Sequence, residues 1–180
     1  MTTLAALCLL PSAFAGLTVD TSVAKPDVHF AANGEPGALD IDAKTNDGII
    51  TDDGTNVVFV VPVANLQTGI ELRDEHMKSK FLFPDKHPNV SLSVPKASLT
   101  FPTEVGKKTT GTVDAQFTAM DVAKPTKVKW EIAKTKTGYK LTGSFAFDIS
   151  EHGVAVPSYL GVTVDSKMTA KAVFYAADTP

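Results

Sequence analysis

The sequence predicts an all-β fold: a single antiparallel eight-stranded β-barrel with a short helix or lid near residues 69–80. Three observations predict it. Apolar and polar residues alternate with a period of two in segment after segment. Turn-forming residues punctuate those segments. One interval, 69–80, drops the alternation and gathers helix formers instead. A series of half-buried strands needs one shared apolar interior and must manage its edges, and closure into a barrel does both. Two packed sheets fit the same alternation, so a sandwich stays open on the pattern alone.

The elements follow in order. Ala38–Thr45 sets Leu39, Ile41 and Ala43 against Asp40, Asp42 and Lys44. Asn56–Val63 is apolar on both faces, which predicts a strand covered on its outer side too, with the 69–80 segment as the natural cover. Val90, Leu92 and Val94 oppose Ser91 and Ser93. Val113, Ala115, Phe117 and Ala119 oppose Asp114, Gln116 and Thr118. Val128, Trp130 and Ile132 oppose Lys127, Lys129 and Glu131. Tyr139, Leu141, Gly143, Phe145, Phe147 and Ile149 share a face, and Val162–Phe174, with Val164 and Met168, continues the pattern less cleanly. Turns are read at Asn33-Gly34, Asn46-Asp47-Gly48, Asp53-Gly54, Gly106, Lys124-Pro125 and Thr137-Gly138.

Eight strands make a barrel wide enough to be filled by side chains or to hold one small ligand. The inward positions mix large residues (Phe117, Trp130, Phe145, Phe147, Met168) with small ones (Ala43, Ala115, Ala119, Gly143). A hollow lumen and a lumen packed solid both fit that mixture. The inward face carries almost no charge, so a guest would be apolar.

The chain has 180 residues, 43% apolar and 21% charged, with a net charge of −3. That suits one domain with a sizeable core, and no basic stripe invites nucleic acid. Residues 1–15, MTTLAALCLLPSAFA, are uncharged and apolar and end in Ala13-Phe14-Ala15, the small-x-small pattern of a cleaved secretory signal. Residues 16–180 are then the barrel domain. The one cysteine, Cys8, leaves with the leader, so the mature chain has neither thiol chemistry nor a disulfide.

The stretch Thr68–Val94, TGIELRDEHMKSKFLFPDKHPNVSLSV, resembles the signature of the YceI-like family. It has the Thr-Gly, the Arg-Asp step followed by a His, a Phe-rich turn and a His-Pro leading into a strand. The closing segment FAFDISEHGVAVPSYLGVTVDSKMTAKAVFYA resembles the family's last hairpin, and Val28–Ala64 fits its order of short strands. The usual Asp-x-x-His-Ser opening is absent, and Ser150-Glu151 stand where an Arg is usual, just before His152. The resemblance implies a lipocalin-like barrel in the periplasm of a Gram-negative bacterium. It implies a long-chain lipid or isoprenoid ligand in the lumen: a polyisoprenoid, a quinone tail or a fatty amphiphile. The tail-binding residues are then Phe30, Leu39, Ile41, Phe59, Leu92, Ala115, Phe117, Trp130, Ile132, Gly143, Phe145, Phe147, Val164 and Met168, with Met77 and Phe81 from the lid. Transient membrane contact is compatible with that role, and the oligomeric state is left open, a homodimer included.

Glu71, Arg73, Asp74, Glu75, His76 and His87 concentrate the chain's chemistry within Thr68–Pro88. The strong metal signature, two His four apart on a helix with a Glu between, is not there. The four histidines share no ligand spacing, and no Gly-x-Ser-x-Gly elbow occurs. The reading is therefore a binding protein without catalytic residues, metal or cofactor. Arg73, Asp74 and His76 are read as lid residues. Ile70, Met77 and Phe81 face the sheet, and Asp74 pairs with Lys78. Arg73 is read first as a tie that fixes the helix over the barrel, and second as a grip on a ligand head group. A structural barrel with a packed lumen is the rival function. An outer-membrane barrel ranks last, because one Trp and three Tyr make poor aromatic girdles.

Cleavage after Ala15 is expected. N-terminal sequencing of protein exported by its native host should read Gly16-Leu17-Thr18, and folded protein that keeps Met1 would refute it.

Overall fold

The computed structural model describes residues 16–35, 39–156, 158–159 and 162–179; the leader read at residues 1–15 lies outside them. Twelve strand segments are described: β1 (Gly16–Val19), β2 (Asp27–Glu35), β3 (Leu39–Thr45), β4 (Ile49–Asp52), β5 (Asn56–Pro62), β6 (Asn89–Pro95), β7 (Lys108–Ala119), β8 (Val122–Lys134), β9 (Tyr139–Asp148), β10 (Ser158–Tyr159), β11 (Val162–Val164) and β12 (Lys167–Thr179). The count exceeds eight because long strands are broken. β3 and β4 are one run bent at 46–48, and both β1 and β2 pair with β12, on either side of the loop 20–26.

Every ladder is antiparallel, and the path runs β2-β12-β9-β8-β7-β6-β5-β4. β3 returns to pair with β2, so the sheet closes on itself through the corner between β3 and β4. The alternation read in the sequence is the alternation of the wall. On β7, Val113, Ala115, Phe117 and Ala119 are buried while Asp114 and Gln116 are exposed. Period-two burial of this kind fixes register, since a slip of one residue would turn every apolar side chain to solvent.

Two turns fall elsewhere than the sequence suggests. Asn33-Gly34 lies within β2, where Gly34 pairs with Leu39 and Val164. Lys124-Pro125 lies within β8. The β8–β9 ladder spans only Lys129–Lys134 of β8, so Pro125 is laddered to β7 alone, where a missing N–H is tolerated. The hairpin turns instead at Met120-Asp121, with φ of 50° and 60° between the paired Ala119 and Val122. That is a two-residue primed turn, built here without glycine.

One seam of the barrel has no ladder. β1 pairs with β12 and lies against β4, and Asp52 at the end of β4 bridges the gap. Its carboxylate accepts from Leu17 N–H (3.0 Å), Gly54 N–H (2.9 Å) and Lys96 Nζ (2.7 Å). The Asp52 side chain is 0% exposed. Burial pushes its pKa up, but the Lys96, Gly54 and Leu17 donors outweigh that and hold it below the usual carboxylate value.

Asp52→Ala strips these donors of a shared acceptor and should cost about 2–4 kcal/mol in urea unfolding. A lowered folded-state pKa means the contribution is present above about pH 4 and is lost as the pH falls through the lowered value. The gap between wild type and variant should therefore narrow below about pH 4, and a gap that stays constant into acid would refute the role.

Candidate functional site

Two cavities lie inside the barrel among the described residues. The larger, about 230 Å³, lies at the end covered by the helical segment; the smaller, about 80 Å³, lies deeper. Protein interiors rarely leave voids larger than a water molecule, so the upper one is space the fold keeps open. Its walls combine Ala32, Ala43, Val63, Leu66, Phe147 and Met168 with Met77, Phe81 and Leu82 of the lid. The deeper one is walled by Phe59, Leu92, Leu99, Trp130, Ile132, Phe145 and Phe174, among others.

Phe30, Val90 and Phe117 border both. The Phe117 ring packs 4.7 Å from Phe147, 5.0 Å from Phe145 and 6.5 Å from Phe30. These rings form a waist between the cavities. Below it, the Trp130 indole lies across Gly111, its partner on β7: a Cβ there would come within 2.7 Å of the ring. Glycine at 111 is what lets so large a side chain lie flat against the wall. Trp130 Nε1–H is buried with no hydrogen-bond partner among the described residues.

The lid is built from α1 (Glu71–His76), which runs on into a wider π-helical turn, Met77–Leu82. It ends at Phe83, left-handed at φ 45°, whose N–H donates back to Lys78 O. Asp74 anchors its start. Both the N–H and the hydroxyl of Thr68 donate to Asp74 Oδ1, each at 2.6 Å. Burial raises the Asp74 pKa, but the Thr68 donors and the charges of Lys78 and Arg73 hold it below the usual value. At the other end His87 Nδ1 meets Asp121 Oδ2 at 2.6 Å, which joins the lid to the β7–β8 turn.

Three expectations for the lid are corrected. Asp74, not Arg73, makes the tie, because the group to be satisfied is the backbone N–H of Thr68 and arginine has no acceptor. Asp74 and Lys78 form no contact ion pair among the described residues; Asp74 Oδ1 accepts both Thr68 donors, and Lys78 acts on the carboxylate only through its charge. Ile70 is exposed, and the segment packs on the turn Val63–Asn65 and over the end of the barrel.

Of the residues read as tail-binding, Phe30, Ile41, Met77, Phe81, Phe117, Phe147, Val164 and Met168 border the upper cavity. Phe59, Leu92, Trp130, Ile132, Gly143 and Phe145 border the deeper one. Ala115 faces inward but borders neither, since it is packed with Val94, Val113 and Val128. Leu39 lies on β3, and its side chain is outside the described residues. Arg73 and His76 border the upper cavity; Asp74 does not. Sequence reasoning missed Val63 and Leu66, which follow β5 in a turn, and Val154 and Val156, in the loop after β9. The alternation of Val154-Ala155-Val156 was the available signal.

The model of the YceI-like domain matches residues 17–175. The chain belongs to the YceI-like family. No curated protein sequence matches it. Among solved structures, a polyisoprenoid binding domain from Saccharophagus degradans, implicated in plant cell wall breakdown, superposes with a TM-score of 0.74 at 10% identity, over 91% of this chain and 99% of that one. BcnA of Burkholderia cenocepacia follows with 0.60 at 14% identity, over 86% and 98%. The Campylobacter jejuni YceI protein gives 0.52 at 14% identity, over 80% and 88%. At such identities these likenesses concern the fold.

His152 of this YceI-like barrel is a core residue, 1% exposed, with its ring edge-on to Phe117 at 5.2 Å. Its Nδ1–H donates to Val122 O at 2.8 Å, which fixes the tautomer and pins the loop after β9 to the β7–β8 hairpin.

Phe117→Ala should cost about 3–5 kcal/mol, because it removes the ring that the waist is packed around. A loss under about 1 kcal/mol in urea unfolding would show that Phe117 is no packed partition.

Proposed function

We propose that this chain is a periplasmic carrier that holds the long apolar tail of an isoprenoid or fatty amphiphile inside its barrel. One observation carries the reading: an apolar cavity of about 230 Å³ inside the barrel, under a helical lid. An apolar void of that size is a poor site for water and a good one for hydrocarbon. Membership of the YceI-like family supports it, as does the polyisoprenoid binding described for the Saccharophagus degradans domain. The leader pattern at residues 1–15 supports the compartment. The lid, with Leu72 and Phe83 exposed, is where the carrier would touch a membrane transiently to load.

The test has two parts. Protein purified from its native host should carry a lipid by native mass spectrometry; a bare chain that also refuses added amphiphiles would favour the structural barrel. Binding should also tighten with tail length. Each buried methylene contributes about 0.8 kcal/mol, so two more give roughly tenfold in affinity until the space is full. Ala43→Trp places a ring in the upper cavity. It should abolish binding of long tails while the unfolding midpoint holds or rises. If the variant unfolds more easily and the wild type binds no tail, the lumen is a packed core.

A further inference from the structure

Trp130 is the chain's one tryptophan, and its Nε1–H is buried without a hydrogen-bond partner among the described residues. An orphaned buried donor forfeits the hydrogen bond it makes with water in the unfolded chain, so native cores rarely keep one. The indole borders the deeper cavity. Gly111 leaves the flank of the nitrogen clear, since a Cβ there would stand 3.1 Å from it.

The rest of the deep wall offers that donor little polar company. Ser91, Glu131, Thr142 and Lys171 also border this cavity, but each sits between two inward residues of its strand and so carries its side chain on the outer face. A water in the cavity would satisfy the indole and leave its own hydrogens unpaired, because a buried water needs about two to four polar partners. An indole N–H is a donor only. The group that fits is an acceptor oxygen with no hydrogen of its own, on an otherwise apolar molecule. A volume of about 80 Å³ gives room for about five heavy atoms.

The cavity also has a side approach of its own. The β6–β7 ladder spans only Ser91–Ser93 of β6, whereas β7 runs back to Lys108. Along 108–115, β7 is laddered to β8 on one side and to no strand on the other among the described residues. Apolar side chains close the wall there: Val94, Leu99 and Val113 pack together and border the deep cavity.

We propose that the deeper cavity is a second binding site, for the ketone, ether or ester oxygen of an apolar guest, which Trp130 Nε1–H holds. The site stands whether or not a tail fills the upper cavity. Its oxygen belongs either to a small free molecule that enters between β6 and β7, or to the inner end of a longer chain that passes the waist.

The single tryptophan gives the purified protein one indole N–H signal in a proton–nitrogen NMR spectrum, and that signal is the test. Butan-2-one, which fits the volume, should move the indole proton downfield and slow its exchange with water. Its hydrocarbon isostere, 2-methylbut-1-ene, should do neither. Trp130→Phe should lower the ratio of ketone to alkene affinity about tenfold, followed on backbone amide signals; the ratio cancels the cost of leaving water. Ala43→Trp, which fills the upper cavity, separates the sources. A butan-2-one shift that survives it assigns a small free molecule. A shift given only by undecan-2-one, and lost in Ala43→Trp, assigns the inner end of a longer chain. An indole proton that neither ketone moves, or an affinity ratio unchanged in Trp130→Phe, would overturn the site. A long-lived water on the indole that the ketones fail to displace would overturn it too. Binding of butan-2-one by a chain that takes no long tail would refute the carrier and leave this site standing. Should Trp130→Phe not fold, the wild-type spectra decide.

Discussion

A closed sheet needs a partner for every strand, yet at one seam of this barrel, between β1 and β4, the pairing is made by a side chain in place of a ladder. Asp52 gathers Leu17 from β1, Gly54 from the β4–β5 turn and Lys96 from the connection after β6. A carboxylate with no exposure is costly to bury, and it persists here because every donor around it is aimed at it. Lys96 is also tied through its own N–H to Thr55 O, so the turn before β5 and the connection after β6 are joined twice. The deep end of the barrel is thereby fixed without help from the lid.

That asymmetry explains where space is left. Around the deep end, Val57, Ile132 and Phe174 are almost wholly buried and only about 80 Å³ stays empty. Above the waist the walls are lined by alanines on β2 and β3, and the volume nearly triples. Alanine on a strand preserves the alternation that sets register while withdrawing bulk from the lumen. The waist then separates a packed half, which stabilises the fold, from a hollow half.

The packed half was the more legible in the sequence, because period-two alternation states which residues point inward without reference to any distant partner. Trp130, Ile132 and Phe145 are lumen residues on that ground alone. What the pattern cannot express is which inward neighbours close over a given alanine. Ala115 and Ala43 look alike in sequence, but Val94, Val113 and Val128 pack against the first, while the second faces open space. The turns fail for a similar reason. Met120-Asp121 carries no glycine, so its left-handed pair is imposed by the ladder on either side and not by local preference. Arg73 and Asp74 also exchange roles. Arginine has the longer reach and more donors, but the group that needed a partner was a backbone N–H, and only an acceptor can satisfy it.

The hollow half has an energetic consequence that links the seam to the lid. An apolar cavity sealed from solvent costs on the order of 24 cal/mol per Å³, which sets a ceiling of about 5.5 kcal/mol for one of about 230 Å³ that is partly open. That is comparable to the whole stability of many domains. A chain that keeps such a space must recover the loss elsewhere, and the engaged donors at Asp52 and Asp74 are where this one concentrates its polar order. A guest tail would return the missing contacts and stabilise the folded state by mass action, more so the further its concentration exceeds its Kd. The same guest would span from the waist to the half-buried face of α1, so filling the cavity would couple the lid to the barrel wall. In its absence the lid is held by Thr68 at one end and by the His87–Asp121 contact at the other. The second of these joins two exposed loops and is the weaker restraint. Opening should therefore begin at the His87 end, away from the anchored start of α1, and expose the cavity beside Met120.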